Sequence, residues 1–582
     1  MRRFSLYLFI FVCTSSFIIS CKSDSYPPDN KVQDGTLHIR KKTDAQKLHP
    51  FVYPSPKARD IYQYIFPQLA DFDPVTLKLI PVLIKAIPEE IKITEGPNSG
   101  SIKFTIEYLP EAKWDDDKDV TAQDYIFSVK TVKNLKVKAG GYRSHLQFIS
   151  DIVIDPNNPK KFDVIFSKDY LLAKETALTI ETYPAHIYDP KGLTTSLSLS
   201  DAGDENKLNK IIAKDSTLMQ WADDMNGIKY GREVVNSCGP YQLSEWVTDE
   251  YIILDRKENY WAKGSKNPFL IAGPKRIIFD ILPDETTAIT QLSEGNIDLV
   301  PEVSGAVFSN LQKEENGYQF LTPQLTKYYL IAMNNDSPEL SDKTVRKALG
   351  HLLDVDNIMK SIDFGNGTRT IGPIHPGKNY YNSKLSPITY DVNKAKSMLN
   401  EAGWKDSNSD GIIDKMIGGN QTELELDMYV SEGKLGQQIA LLMKEATAGA
   451  GIKMNIIQKP FKQIESEHLK KKDFDMAPMM IRQDLVLDDP YTRWHSDHTK
   501  LGGRNIYGFE NEEIDKITKE IQISEDPITR NKLYTRVQEI LYEEQPVIFL
   551  YAPSDRMVGS DKWNMTSTVR RPGYIANTFT LK

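Results

Sequence analysis

Three clusters in this chain carry residue types at spacings that could support chemistry. Asp406-Ser407-Asn408-Ser409-Asp410-Gly411-Ile412-Ile413-Asp414 sets side-chain oxygens at the first, third, fifth and ninth positions of a calcium-type loop, with Gly411 where such a loop must turn sharply. The acid that should close the loop is replaced by Ile417. Asp406, Asn408, Asp410 and Asp414 therefore suit either a structural calcium ion or an ion-free polar turn between a helix and a strand. His495 and His498 flank Asp497 and could begin a metal site, but no third ligand is in view. Ser431-Glu432-Gly433-Lys434 matches the Ser-x-x-Lys pattern of an acylating serine without its companion motifs, so a surface loop explains it better. The chain has no Gly-x-Ser-x-Gly elbow, phosphate loop or His-Glu-x-x-His helix. An extracytoplasmic hydrolase is thus the minor alternative to a protein that binds without turnover.

The elements that would have to position such groups alternate along the chain. Residues 102–108 and 161–166 read as strands. Residues 122–132 read as a helix opened by Thr121, whose hydroxyl can cap it. Helices are also expected over 286–294, stopped at Gly295, and over 393–401, stopped at Gly403. Further helices are predicted at 437–446, 512–521 and 528–542. Strands and helices mixed in this way, with few long loops, indicate an α/β architecture.

With 582 residues the chain exceeds a single core, and two or three domains are expected. A net charge of −8 gives no reason to expect nucleic acid as a partner. The N-terminus decides the compartment. Arg2 and Arg3 precede an apolar run that ends in Ile18-Ile19-Ser20-Cys21, the layout of a secretion signal (residues 1–20) whose cleavage leaves Cys21 to carry lipid. The run is short for a membrane span and is interrupted by Cys13, Thr14, Ser15 and Ser16, which disfavours an uncleaved anchor. Residues 21–35, polar and with two prolines, read as a flexible tether. After processing only Cys238 and the lipidated Cys21 remain, so no internal disulfide is expected.

Five segments resemble, in order, the peptide/nickel family of ABC-transporter solute-binding proteins, family 5. Trp114-Asp115-Asp116-Asp117-Lys118-Asp119-Val120-Thr121-Ala122-Gln123-Asp124 is similar to that family's turn-and-helix segment, with Asp117 in place of the usual Gly. Ser237-Cys238-Gly239-Pro240-Tyr241, trailed by Tyr260-Trp261, resembles its Gly-Thr-Gly-Pro-Tyr strand, and Lys257 stands where the trailing motif usually has Asn. The remaining three are Leu292-Ser293-Glu294-Gly295-Asn296-Ile297-Asp298, the run from Asn334 through Val345-Arg346 to Asp354, and Ala402-Gly403-Trp404 with Asp410-Gly411.

The resemblance implies a two-lobed periplasmic-binding-protein fold, class II-like and of the three-domain type, closing on its ligand about hinge strands. It implies lobe 1 from residues 36–72, 205–305 and 508–582, an extension of it from 73–204, and lobe 2 from 306–507. It further implies an extracytoplasmic, lipid-anchored monomer that captures peptides and passes them to the membrane permease of an ABC importer, with a nickel or metal-chelate binder as the alternative. In peptide-binding relatives the ligand pairs its backbone with a protein strand, here expected at Ser237, Cys238, Gly239 and Tyr241. An aspartate meets the peptide amine, and the matching stretch offers Asp484, with Asp488 behind it. For the carboxylate, Glu432 stands where dipeptide binders have an arginine, so Lys434 or Arg482 would substitute and oligopeptides fit better than strict dipeptides. No cofactor is expected beyond calcium in the 406–414 loop. Asp484→Ala is expected to weaken peptide binding by about 1.5–3 kcal/mol, the scale of a hydrogen bond to a charged group. An unchanged affinity in calorimetric titration would remove Asp484 from the site.

Overall fold

Leu37 and Ile39 are fully buried in the strand Thr36–Lys41, and their alternation seeds the first sheet. That strand pairs in parallel with Arg276–Ile281 on one side and Leu299–Val300 on the other. The computed structural model describes residues 35–582 except 53–54, 168–169, 315–316, 484, 486, 501–502 and 525. Among the described residues, three sheets of four or more strands organise the chain. The first has the order Tyr318–Leu321, Met557–Ser560, Leu299–Val300, Thr36–Lys41, Arg276–Ile281, Tyr251–Arg256, Tyr241–Val247. The second runs Lys453–Gln458, Glu425–Val430, Met476–Arg482, Lys327–Met333, Val547–Phe549. The third, Glu90–Lys92, Ile102–Glu107, Asn158–Phe166, Ile149–Asp155, lies in the extension and shares the hydrophobic core of the first lobe.

The chain therefore passes from the first lobe to the second after Leu321 and returns before Met557. Two boundaries differ from those expected. Residues 508–550 belong to lobe 2: Ile514, Ile517, Tyr534 and Val537 of the helices Glu512–Ile523 and Pro527–Glu544 share a core with Tyr328, Leu330 and Phe549. Val547–Phe549 is itself a strand of the second sheet. Conversely Tyr318–Leu321 closes the edge of the first sheet. An apolar stripe shows that a helix needs a surface to cover, and does not say which of two sheets supplies it.

The recognisable segments turn out to be scaffold. Asp124 lies in the first turn of the helix Ala122–Lys133, and its buried carboxylate accepts from the Thr121 amide (2.9 Å), the Ala185 amide (2.9 Å) and Trp114 Nε1 (3.3 Å). Thr121 is the cap residue as expected, with Asp124 reaching back to its amide. Asp117 has φ +63°, the left-handed region, which accounts for a glycine at that turn elsewhere and for an aspartate being tolerated. Asp298 accepts from the His38 amide at 2.9 Å and from Ser560 Oγ at 3.1 Å, binding three strands of the first sheet together. Arg346 is buried and donates to the carbonyls of Leu340, Glu544 and Gln545, satisfying the C-terminal end of the helix Pro527–Glu544. Gly295 (φ +77°) and Gly403 (φ +89°) end their helices as expected.

The two crossings run side by side. The Asp555 amide donates to the Pro323 carbonyl at 2.8 Å, and Lys327 and Asp555 form an ion pair between the two segments. Arg556 donates through Nε to the Val303 carbonyl at 3.0 Å and pairs with Asp363 at 3.0 Å, so it touches both lobes.

In the core of the first lobe His49 is fully enclosed. Its Nδ1 accepts from the amides of Phe51 and Val52, each at 3.2 Å, with Tyr183 Oη at 3.0 Å. Nδ1 is thus unprotonated and the proton sits on Nε2, which has no partner among the described residues. Burial, with some help from the Lys47 charge, pushes the imidazole down to about 3. The unfolded chain takes up a proton as pH falls below its ordinary 6.5 while the folded chain does not, so stability drains away between pH 6.5 and about 3. The loss is expected to be on the order of a few kcal/mol. In urea unfolding across this range, His49→Gln should show a correspondingly flatter pH dependence; parallel slopes for variant and parent would exclude His49 as the cause.

Candidate functional site

A cavity of about 1120 Å³ opens where the two crossings meet the lobes. Arg40, Arg59, Tyr62 and Asp71 reach it from lobe 1, and Tyr142, His145, Glu175 and Thr179 from the extension. Tyr329, Arg482, Gln483 and Leu485 come from lobe 2. Leu325, Thr326, Lys327, Asp555 and Arg556 of the crossings form the wall between them, and Val569, Arg570 and Arg571 complete it. A ligand here would touch both lobes and the segments that join them.

Local sequence explains how these groups are placed. Ser55 caps the helix Pro56–Tyr62, its hydroxyl accepting from the Ala58 amide at 3.0 Å, and Pro56 occupies the first turn, where a missing amide costs nothing. Ala58, Ile61 and Tyr62 face the core, which leaves Arg59 on the cavity side. Arg482 ends the strand Met476–Arg482, whose alternation buries Ile481 and turns Arg482 outward into the cleft. Arg40 is buried, with Nε and Nη2 each donating at 2.8 Å to the carbonyls of Leu282 and Pro283.

Most charges in the walls neutralise one another. Arg570 grips Asp71 and also reaches Gln63. Lys42 pairs with Glu302 at 3.3 Å, and Arg571 with Asp60 at 3.2 Å, an acid it shares with Lys41. Glu181 lies behind this wall, buried and hydrogen-bonded to Gln68 at 3.0 Å; burial pushes its carboxyl up to about 6, against the opposing pull of Arg59. Arg59 and Arg482 have no hydrogen-bond or ion-pair partner for their side chains among the described residues.

Of the expected ligand-binding residues, Arg482 lines the cavity and the others that can be placed do not. Ser237, Cys238, Gly239 and Tyr241 lie within lobe 1 with their backbone already committed. The Gly239 amide donates to Ile65 O at 3.0 Å and the Tyr241 amide to Tyr64 O at 3.2 Å. Lys257 Nζ and Trp261 Nε1 take the carbonyls of Ser237 and Cys238. Lys257, which replaces the usual Asn, also pairs with Asp115 at 2.6 Å. All four residues are buried and lie outside the cavity wall, and a Cβ on Gly239 would stand 2.4 Å from the Ile65 carbonyl oxygen. The glycine serves close backbone packing within the lobe. Cys238 is buried, its thiol pushed up to about 12.

Asp488 is half-buried and fully engaged. Its carboxylate accepts from Gln483 Nε2 at 2.7 Å, Lys378 Nζ at 2.9 Å and Tyr380 Oη at 3.0 Å. Burial raises its carboxyl above the usual range, and Lys378 opposes that shift. With Lys378 as its counter-ion it has no vacancy for a peptide amine. Lys434 starts the helix Lys434–Ala448 on the exposed surface, outside the cavity wall. Asp484, Cys21 and the whole signal and tether fall outside the described residues. In the 406–414 loop the oxygens serve their own chain: Asp406 accepts from the amides of Asp410 and Gly411 at 3.1 Å, and Asp414 from the Ser407 amide and hydroxyl. Among the described residues no group of three or more His, Cys, Asp and Glu is disposed to hold a metal ion. His495 is buried, its Nδ1 accepting from the Asp497 amide at 2.9 Å, and Tyr491 packs against both it and His498.

Sequence reasoning missed Arg59, Arg570 and Arg571. The pair Arg570-Arg571 ahead of Pro572 was a visible signal of clustered cations, and Ser55-Pro56 announced the helix that carries Arg59. Their convergence depends on segments more than five hundred residues apart and has no local signature.

The comparisons with known proteins bear on this arrangement. The chain is 25% identical over 478 residues, 81% of its length and 78% of that protein's, to the oligopeptide-binding protein AppA of Bacillus subtilis (strain 168). The solved structure of that protein in complex with a nonapeptide superposes with a TM-score of 0.68 at 21% identity, covering 94% of this chain and 99% of that one. NikA from Brucella suis in complex with Fe(III)-EDTA superposes with a TM-score of 0.74 at 17% identity, over 94% of this chain and 100% of the other. No helix among the described residues is long and apolar enough to cross a membrane. Residues 98–503 match the model of the bacterial extracellular solute-binding proteins, family 5. With most of its length matched and a cleft between two doubly connected lobes, the chain belongs to the family 5 bacterial extracellular solute-binding proteins.

Proposed function

We propose that this protein captures oligopeptides outside the cytoplasm by closing its two lobes, and delivers them to the membrane permease of an ABC importer without chemical turnover. The observation that carries this reading is the cavity of about 1120 Å³ walled by both lobes and both crossings. It exceeds the roughly 300–1,000 Å³ of ordinary small-molecule sites and suits an extended ligand of several residues. A ligand that contacts both lobes only when they are closed shifts the population toward the closed form, which is the shape a permease can read. The oligopeptide-binding relative, spanned over most of its length, supports peptides as the solute. Because the backbone at 237–241 is used within lobe 1, the reading assigns peptide recognition to the cavity walls.

Native mass spectrometry of the protein purified from cells grown in rich medium is expected to show a heterogeneous set of bound masses matching peptides of several residues. A single non-peptide mass, or a metal chelate, would overturn the peptide assignment. The reading also places the body on a membrane through lipid on Cys21. Cys21→Ser should then shift the protein from the membrane to the soluble fraction on cell fractionation, and retention at the membrane would overturn the lipid anchor.

A further inference from the structure

The chain as a whole is acidic, with a net charge of −8, yet the walls of its cleft are not. Eight Lys and Arg side chains line the cavity against five Asp and Glu. Pairing inside the walls removes most of this excess and leaves two guanidiniums with open donors. Arg59 belongs to lobe 1 and Arg482 to lobe 2. Each is exposed to the cavity, and neither side chain has a hydrogen-bond or ion-pair partner among the described residues.

The carboxylates nearest to Arg59 are already in use. Asp71 is held by Arg570 and Glu181 by Gln68, so both act on Arg59 through space without a hydrogen bond to it; against the cost of burial they, with Tyr62 and Tyr142, hold its guanidinium above the ordinary value. On the opposite wall, burial and the charge of Arg571 hold the Arg482 guanidinium below its ordinary value, against the opposing pull of Asp555, Glu302 and Asp60. Arg571 in turn shares Asp60 with Lys41, two cations on one acid. Each arginine thus presents its donors to the cavity with no hydrogen-bond partner among the described residues, and an anionic ligand would supply one. Guanidinium donors in fork geometry match a carboxylate in two parallel hydrogen bonds.

We infer that the solute carries a carboxylate held between Arg59 and Arg482, so that the preferred ligands are acidic peptides, with Asp or Glu side chains in addition to their own termini. A zwitterionic peptide brings one positive and one negative end and leaves the excess cation of the walls uncompensated. A net-negative peptide balances it, and its anionic side chain bridges the lobes, coupling recognition of charge to closure. This inference rests on the peptide reading above.

The test is calorimetric titration of the purified protein with alanine pentapeptides carrying one Glu, Gln or Lys at each position in turn, with citrate as a non-peptide carboxylate. At one position at least, Glu is expected to bind about tenfold or more tightly than Gln, with Lys weaker still. Arg59→Gln and Arg482→Gln should each abolish that preference, read as the ratio of Glu-peptide to Gln-peptide affinity within the same variant; a ratio unchanged from the parent in both variants would overturn the assignment to these two arginines. Equal affinities for Glu, Gln and Lys peptides would overturn the acidic preference and leave the peptide reading standing. Citrate bound and lost in both variants, with no peptide bound, would uphold carboxylate recognition and overturn the peptide reading. Binding of none of these probes would overturn both.

Discussion

Everything about this molecule follows from its two lobes being joined twice, by adjacent segments of opposite direction. Two segments side by side, bonded to each other, couple the lobes more tightly than one would. The Asp555 amide on the Pro323 carbonyl and the Lys327–Asp555 pair keep the crossings together. Arg556 ties them to both lobes through Val303 and Asp363. The cavity lies where these crossings meet the lobes, which is why its walls draw on lobe 1, its extension, lobe 2 and the crossings themselves. Under the proposed function, the energy for closing comes from contacts present only in the closed form, and a ligand that fits one lobe alone would bind without shifting the lobes.

The electrostatic design of the cleft separates structural from available charge. A buried ion pair with a good geometric match, such as Arg570 on Asp71, is costly to break because the surviving partner would stay charged and desolvated. Such pairs stiffen the walls. Arg59 and Arg482, facing open cavity, remain hydrated until something displaces the water. The division between charges already spent within the fold and charges still open is what gives a cleft selectivity without losing its shape.

The sequence revealed the frame more fully than the site, and the residues show why. Helix boundaries at Gly295 and Gly403 and the strands near 102 and 161 were legible because caps, left-handed turns and alternation are local properties. The recognisable motifs announced the fold because they hold it together. Asp124 braces a helix start, Asp298 ties strands, Arg346 closes a helix end, and Gly239 lets two backbone segments touch. The same logic misled the site assignment: Ser237 to Tyr241 is a strong signal because its polar backbone is consumed within lobe 1, where it lies buried and outside the cavity wall. Asp488 looked like an open acid until Lys378, more than a hundred residues away, proved to be its counter-ion. Arg482 was legible because it sits beside a family segment, whereas Arg59 was not, since what distinguishes it is the absence of a partner.

The double connection also sets the order of assembly. Lobe 2 is an insertion within lobe 1, and Met557–Ser560 inserts between Leu299–Val300 and Tyr318–Leu321 in the first sheet. Emerging from N to C, the chain therefore presents an incomplete first sheet, with the edge of Leu299–Val300 unpaired, until more than two hundred further residues have been made. Sequence-distant pairing of this kind closes large loops and folds slowly, with an apolar strand edge exposed in the interval. The last segment to appear thus acts as the keystone of the first lobe. A chain truncated shortly before it would leave lobe 2 with its strands intact while depriving the ligand cleft of one of its two walls.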